Sequence, residues 1–381
     1  MTDFASLPFD ADEMLAGLAR WVACESPTHD AAAVNRMMDL AAFDLARLGA
    51  EVQRVPGQMG LSDSLIATLP HPRPELPGIL VLGHMDTVHP VGTLEVLPVR
   101  REGDICYGPG INDMKGGNYL ALEAIGQLQR AGIETPLPVT VMFTGDEEIG
   151  SPSTARLIED VARRHACVLV PEPARADGSV VQGRHAILRF ALQASGRPSH
   201  AGNIPEKGAS AIALMARKLL EIEALSCDAF TCSVGIIRGG QWSNCVPSAC
   251  EAEMILQLKD PAARDDALAR LQALTVPEGD VTFAITPGVA RPAWQPGSGC
   301  KALLDRAEGL ARDLGFDLPS IVSGGGSDGN FTGALGVPTL DGLGVRGQMH
   351  HTLQEHIWVD SLAERGRLFA GLLATIDGPP A

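Results

Sequence analysis

The order of apolar and polar positions divides the chain into three stretches. Residues 11–23 and 30–49 carry apolar side chains at helical spacing, and the second run closes at Gly49, a residue suited to a helix C-cap. The short runs EVQRV, SLIATL and GILVLG then read as strands, bounded by turn-forming residues. A glycine-rich turn, GPGINDMKGG, precedes an apolar helix over 119–130. A strand over 138–144, a helix over about 153–165 and a further strand, CVLVPEP, follow. Beyond Glu172 the pattern changes to long strands of alternating polarity. The spacing predicts a helix over 206–224, strands near 230–238 and 245–258, a helix near 261–273 and a strand near 280–288. That β-α-β-β-α-β order is a split-βαβ, ferredoxin-like unit. After residue 292 the chain returns to α/β character, with helices over 298–315 and 360–376. The prediction is an α/β domain made of residues 1–182 and 292–381, interrupted by an α+β domain over 183–291. There is no internal repeat.

Three of the apolar strands end in the same kind of residue. GILVLG runs into His84 and Asp86, PVTVMFT into Asp146, Glu147 and Glu148, and CVLVPEP into Glu172. Open α/β sheets place ligands beyond the carboxyl ends of their strands. A single His-x-Asp is a common hydrogen-bonded pair, and one acid at a strand end is commonly solvated. Their repetition along one sheet edge points to a metal crevice, because buried acids without cations are costly. Asp113, in the glycine-rich turn, stands before a helix and reads equally as an N-cap or as a ligand.

Composition narrows the partners. The 381 residues are 45% hydrophobic and 20% charged, with a formal net charge of −16. Such an acidic chain argues against nucleic-acid or anionic-membrane partners, which are held by clustered Lys and Arg. No apolar run is long enough to span a membrane. The acidic N-terminus lacks a signal-peptide pattern, and the eight cysteines form no Cys-x-x-Cys pair. These features favour a reducing cytoplasm.

Taken together, GHMDTV, YGPGINDMKGG, TGDEEIGS, PEP at 171–173, SGRPSHAG, NCVP, ARPAW, SGGGSDGNF and a late histidine followed by an acid occur in fixed order over about residues 10–376. In this the chain resembles the dinuclear zinc hydrolases that include glutamate carboxypeptidase, acetylornithine deacetylase, succinyl-diaminopimelate desuccinylase and aminoacylase, the bacterial glutamate carboxypeptidases most of all. The resemblance implies a mixed-sheet catalytic domain with an inserted lid that also dimerises. It implies two Zn²⁺ per subunit, with Co²⁺ or Mn²⁺ able to use the same donors. His84 and Glu172 would hold one ion, Glu148 and His351 the other, and Asp113 would bridge them. His351 is preferred to His350 by its spacing from Glu355. Asp86 would orient the His84 ring, and Glu147 would be the general base and acid. His200 would donate to the oxyanion from the partner subunit, Asn244 would contact substrate, and Arg291 would grip a terminal carboxylate. Gly325 and Gly326 would let backbone approach the substrate. The implied activity is hydrolysis of an N-acyl amino acid or short peptide with release of a free C-terminal amino acid. The alternatives are an N-deacylase of the acetylornithine type or a non-catalytic dimeric binding protein. Two motifs depart from the family: its lid Asp-x-Arg is replaced by Ile255 and Gln257, and Ala186 replaces a glycine.

Overall fold

The computed structural model describes residues 3–277 and 279–380, so the extreme positions 1, 2 and 381 of the expected outer domain lie outside the described residues. The chain divides into two compact units. The first comprises Met1–Arg184, Trp294–Ser323 and Ser327–Ala381, and the second His185–Ala293 with Gly324–Gly326.

Among the described residues, the first unit is built on a six-stranded mixed sheet. Its order is Glu51–Val55, Ser64–Thr68, Val139–Thr144, Gly78–His84, His165–Leu169 and Thr339–Leu340. The last four run parallel, Ser64–Thr68 pairs antiparallel to them at one edge, and Glu51–Val55 pairs antiparallel to Ser64–Thr68 in turn. Gly78–His84 and Val139–Thr144 are buried at every position. This is why both read as unbroken apolar runs: a parallel strand covered on two faces has no solvent side to alternate with. Burying each Leu, Val or Phe there contributes roughly 1.5–3 kcal/mol.

The helices Ala11–Val22, Ala31–Arg47, Gly116–Arg130 and Asp360–Thr375 pack their apolar residues into the main core of this unit. Asp10 and Asp30 cap the first two through their side chains, and Gly49 ends the second with φ of 80°. Register pairs His84 with Thr144, so those two parallel strands finish level, while the neighbouring strand ends at Leu169, opposite Val81. Four helices differ from their predicted spans by three residues or more at one end, among them the one expected near 261–273, which is Arg264–Gln272 after a 3-10 turn at Pro261–Ala263. The turn helix starts at Gly116 rather than 119, with Lys115 at its N-cap position, so Asp113 is not the cap. The helix expected over 153–165 is shortened to Ala155–Ala162, because His165 already begins the next strand. In the second unit the helix expected over 206–224 is Ala211–Glu223, led by a 3-10 turn at Pro205–Lys207.

The second unit is a four-stranded antiparallel sheet in the order Phe230–Gly239, Ala249–Leu258, Ala186–Ser195, Thr282–Arg291. Its chain order is β-α-β-β-α-β, with helices Ala211–Glu223 and Arg264–Gln272. Alternate residues of the Ala186–Ser195 and Ala249–Leu258 strands are buried, and they form a separate core with Leu214, Met215, Ile222 and Leu271. The strand predicted over 245–258 is broken: Cys245–Val246 pairs with Ser199–His200, apart from the main sheet.

One buried cation braces the first unit. The Arg365 guanidinium donates to the carbonyls of Gly342 (2.7 Å), Gly344 (3.1 Å) and Gly178 (3.2 Å). Gly344 in turn donates its N–H to the Glu172 carbonyl at 2.8 Å. Arg365→Leu orphans three buried acceptors, so we expect a loss of at least about 3 kcal/mol in a denaturant titration. An unchanged midpoint would disprove the bracing role.

Candidate metal centre

The carboxyl edge of the parallel strands gathers the histidines and acids singled out from the sequence. His84 ends its strand and is buried, with Nε2 3.2 Å from Asp113 Oδ1, 3.8 Å from Glu172 Oε1 and 3.8 Å from Glu147 Oε2. His351 Nε2 lies 3.2 Å from Asp113 Oδ2 and 3.1 Å from Glu148 Oε2. Two sets of donors result, His84–Asp113–Glu172 and Asp113–Glu148–His351, each with its ligand atoms within 4.8 Å of one another. Asp113 belongs to both and turns one oxygen towards each. His351 lies in the second set, and His350 packs edge-on against its ring instead. The donor chemistry, imidazole with carboxylate, suits a borderline divalent cation such as Zn²⁺.

The approach of these segments depends on small residues. A Cβ at Gly117 would meet the Pro171 carbonyl oxygen at 1.8 Å, so glycine lets the helix beneath Asp113 touch the segment that carries Glu172.

Asp86 is fully buried and does more than orient a ring. His84 Nδ1 lies 3.0 Å from the Asp86 carbonyl oxygen and 3.3 Å from Oδ1. The carboxylate also accepts from Thr28 Oγ1 at 2.7 Å, Glu147 N at 3.3 Å and Glu148 N at 3.2 Å. It therefore sets the backbone of the two acids that face the crevice. Asp146, their neighbour, takes Ser153 N and the hydroxyls of Ser153 and Thr154, and so organises the start of the following helix. The three consecutive acids thus divide into one structural and two crevice residues.

Sequence reasoning missed further groups. Glu355 served only as a spacing marker, yet it is buried and accepts from Gly110 N, Asn112 N, Asp113 N and the His89 ring. Arg184 pairs with buried Asp341 at 2.7 Å, and Asp341 also accepts from Ser327 Oγ. Asp328 receives Thr144 Oγ1 and Ser151 Oγ. Nothing in local periodicity marks these acids, because their partners lie far away in sequence.

The residues expected to meet substrate lie in the second unit. His200 is exposed, and its Nδ1 accepts from the N–H groups of Gly202 and Asn203 at 3.1 and 3.2 Å. That leaves the ring proton on Nε2, as a donor. Asn244 is exposed beside it, and its carbonyl accepts from Ala201 N at 2.9 Å. Arg291 ends its strand and is buried. A Cβ at Gly326 would come within 2.8 Å of Arg291 Nη1, so glycine there admits the guanidinium. Gly325 is exposed in the same turn. Gln257 donates from Nε2 to the Gly324 carbonyl.

Proton affinities reflect the crowding. Burial and the charge of Asp113 push Glu148 up to about 8, against the pull of His351. Burial and Asp113 likewise raise Glu172 well above the usual carboxylate range. Hydrogen bonds to Asp113 and Glu148 lift His351 to about 11. Burial opposes a charged His84, but Asp113, Asp86 and Glu147 outweigh it and raise its pKa. Burial also opposes ionisation of Asp113, yet His351 and His84 hold its pKa well below the usual range. A cluster that must keep protons to relieve its own repulsion is the kind of site a cation completes.

A fold of this topology with paired histidine and carboxylate donors at its strand ends defines a metal-dependent hydrolase. The chain belongs to peptidase family M20/M25/M40, whose model matches residues 80–375. It is 30% identical over 366 residues to carboxypeptidase G2 of Pseudomonas sp. (strain RS-16), covering 93% of this chain and 87% of that protein. The same fold occurs in the aminopeptidase PepT of Bacillus cereus, with a TM-score of 0.72, 22% identity and coverage of 96% of this chain and 98% of that one. It occurs also in the metallo-carboxypeptidase Sso-CP2 of Sulfolobus solfataricus, with a TM-score of 0.74, 17% identity and coverage of 95% and 99%. The protein is a metal-dependent enzyme that hydrolyses amide bonds. The resemblance drawn from the motifs and the family found by comparison are the same.

The raised groups set the pH response of the metal-free protein. Glu148 contributes stability below its ordinary pKa of 4.5 that is lost as pH rises towards about 8. His351 contributes stability below 6.5 that is lost towards about 11. Asp113 acts oppositely, but its window closes below 3.8. We therefore expect the melting temperature of chelator-treated protein to fall between about pH 5 and about pH 9, less steeply in Glu148→Gln. Added Zn²⁺ should stabilise more as pH rises, because its ligands must shed protons. Equal slopes in wild type and Glu148→Gln would contradict the assignment.

Proposed function

We propose that the protein is a dinuclear zinc carboxypeptidase-like hydrolase that removes a C-terminal amino acid from an N-acyl amino acid or short peptide. The observation that carries this reading is the double donor set sharing Asp113. His84 and Glu172 would hold one ion, Glu148 and His351 the other, and Asp113 both. Ions bound there supply Lewis acidity, which acidifies water and polarises an amide carbonyl.

The protein's own groups do the rest. Glu147 is buried at the crevice, its N–H bonded to Asp86 Oδ1, so the backbone beneath its carboxylate is fixed. It takes a proton from the attacking water and returns it to the leaving amine. His200, with its donor nitrogen set by Gly202 and Asn203, offers the hydrogen bond that the developing oxyanion needs. Asn244 contacts the substrate. Arg291 supplies the planar fork that suits a terminal carboxylate, and Gly325 and Gly326 give backbone access beside it.

We read the second unit as a lid that also forms a homodimer, with His200 acting across it. Its edge strand Phe230–Gly239 exposes Ile236 (38%) and Ile237 (50%), and the adjacent helix exposes Leu220 (71%) and Ile212 (37%). A bare strand edge beside an apolar helix face invites pairing with a copy of itself. Among the described residues no helix is long and apolar enough to cross a membrane. Free thiols at all eight cysteines support a cytoplasmic location.

Release of free amino acid from a panel of N-acyl amino acids and dipeptides tests the reading. Glu147→Ala should keep its metal and lose at least roughly 10²-fold in kcat. Arg291→Lys should lower kcat/KM by roughly 10–100-fold for free-carboxylate substrates and leave amidated ones unchanged. An equal loss on both substrate types would favour the N-deacylase alternative. Leu220→Glu should yield monomers in solution scattering and lose turnover with them. An active monomer would remove His200 from its role.

A further inference from the structure

Glu355 lies where the loop that carries His351 turns into the strand His356–Trp358. Its side chain is fully buried and saturated. Oε1 accepts from Asn112 N at 2.9 Å and Asp113 N at 3.0 Å. Oε2 accepts from Gly110 N at 3.0 Å and from His89 Nε2 at 2.6 Å. An ionised carboxylate only accepts, so His89 is the donor. The Glu355 backbone adds to the connection, its carbonyl taking Gly108 N at 3.3 Å and its N–H reaching Thr352 O at 3.3 Å. One residue therefore ties the turn that carries Asp113 to the loop that carries His351.

Neither of those segments is held by a regular element. Asp113 and Met114 have non-helical dihedrals in the turn before their helix. Met349 and His351 have φ of 59° and 64°, in the left-handed region that side chains rarely adopt. His84, by contrast, ends a buried strand. The two donor sets consequently differ in support. His84–Asp113–Glu172 has one member tied through Glu355, whereas Asp113–Glu148–His351 has two.

We infer that Glu355, backed by His89, is a positioning residue that sets Asp113 against His351 and so preforms the second metal position. The inference rests on the two-metal reading and goes beyond it by naming what makes the positions unequal. Charge and shape both matter here. A carboxylate can take four donors, but an amide of the same shape must turn its own N–H groups towards one pair of them. Glutamine therefore cannot replace Glu355 without opening one side of the clasp.

The experiment titrates metal-free wild type, Glu355→Gln and His89→Ala with Zn²⁺ alone by calorimetry, alongside the melting temperature of each metal-free protein. Wild type should take up two ions. Glu355→Gln should bind the first ion nearly as wild type does and the second roughly 10–100-fold more weakly. His89→Ala, which removes one donor of four, should weaken the same ion by less. A second ion bound as tightly as in wild type would overturn the inference. So would parallel weakening of both ions with a lower metal-free melting temperature, the mark of a general structural role. If Glu355→Gln does not fold, His89→Ala decides: an unchanged second ion there also overturns it. A wild type that takes up a single ion overturns the two-metal reading and this inference with it. The wild-type stoichiometry alone distinguishes that failure from a failure of Glu355.

Discussion

Mutual repulsion of carboxylates is the constraint on which the first unit depends. Asp113, Glu147, Glu148 and Glu172 converge on the carboxyl edge of one sheet, three of them within reach of a single buried imidazole. Charges so close, and so far from water, cost several kcal/mol each unless they are paired. Two histidines offset part of that cost, and retained protons another part, as the raised affinities of Glu148 and Glu172 record. Divalent cations replace those protons. The same charge density that opposes folding of the empty site gives it affinity for metal.

Such a cluster holds its shape only if the surrounding backbone is fixed by other means. The structure assigns that task to a second group of acids whose valences are filled by N–H and O–H donors. Asp86 holds the peptides of Glu147 and Glu148, Asp146 the helix that follows, and Glu355 the turn of Asp113. Asp328 and Asp341 anchor the glycine-rich SGGGSDG turn with Thr144, Ser151, Ser327 and Arg184. Acids that meet several fixed donors are held in place, whereas Glu148 and Glu172, which face the crevice, have their pKa pushed up by burial and by the charge of Asp113. Residue type is shared between the groups, and hydrogen-bond environment separates them.

The second unit answers a different requirement. Its sheet buries one face beneath two helices and keeps a strand edge bare. Arg291 ends an edge strand of that sheet, Gly326 admits its guanidinium, and Gln257 grips the Gly324 carbonyl. The contact of Gln257 with the glycine turn is a hydrogen bond from a neutral side chain.

Much of this was legible along the chain, for a physical reason in each case. Strands buried on both faces must be continuously apolar, so Gly78–His84 and Val139–Thr144 announced themselves, and so did the residues at their ends. Alternation marked the strands of the second unit, because one face there is covered and the other is not. The ordered motifs supplied the family. Element ends were less legible: a Gly-rich turn conceals where a helix begins, and His165 fits a helix or a strand until its partner strand is known. Pairings across long separations were not legible at all. Glu355 reaches Asp113 over 242 residues and Arg184 reaches Asp341 over 157, and no local pattern distinguishes such acids from solvated ones. Local chemistry determined which residues could serve as ligands, since that depends on side-chain type and strand ends. Which acids became anchors and which remained reactive was decided by tertiary structure alone, because only folding brings the donors that neutralise one carboxylate and leave the next exposed to its neighbours.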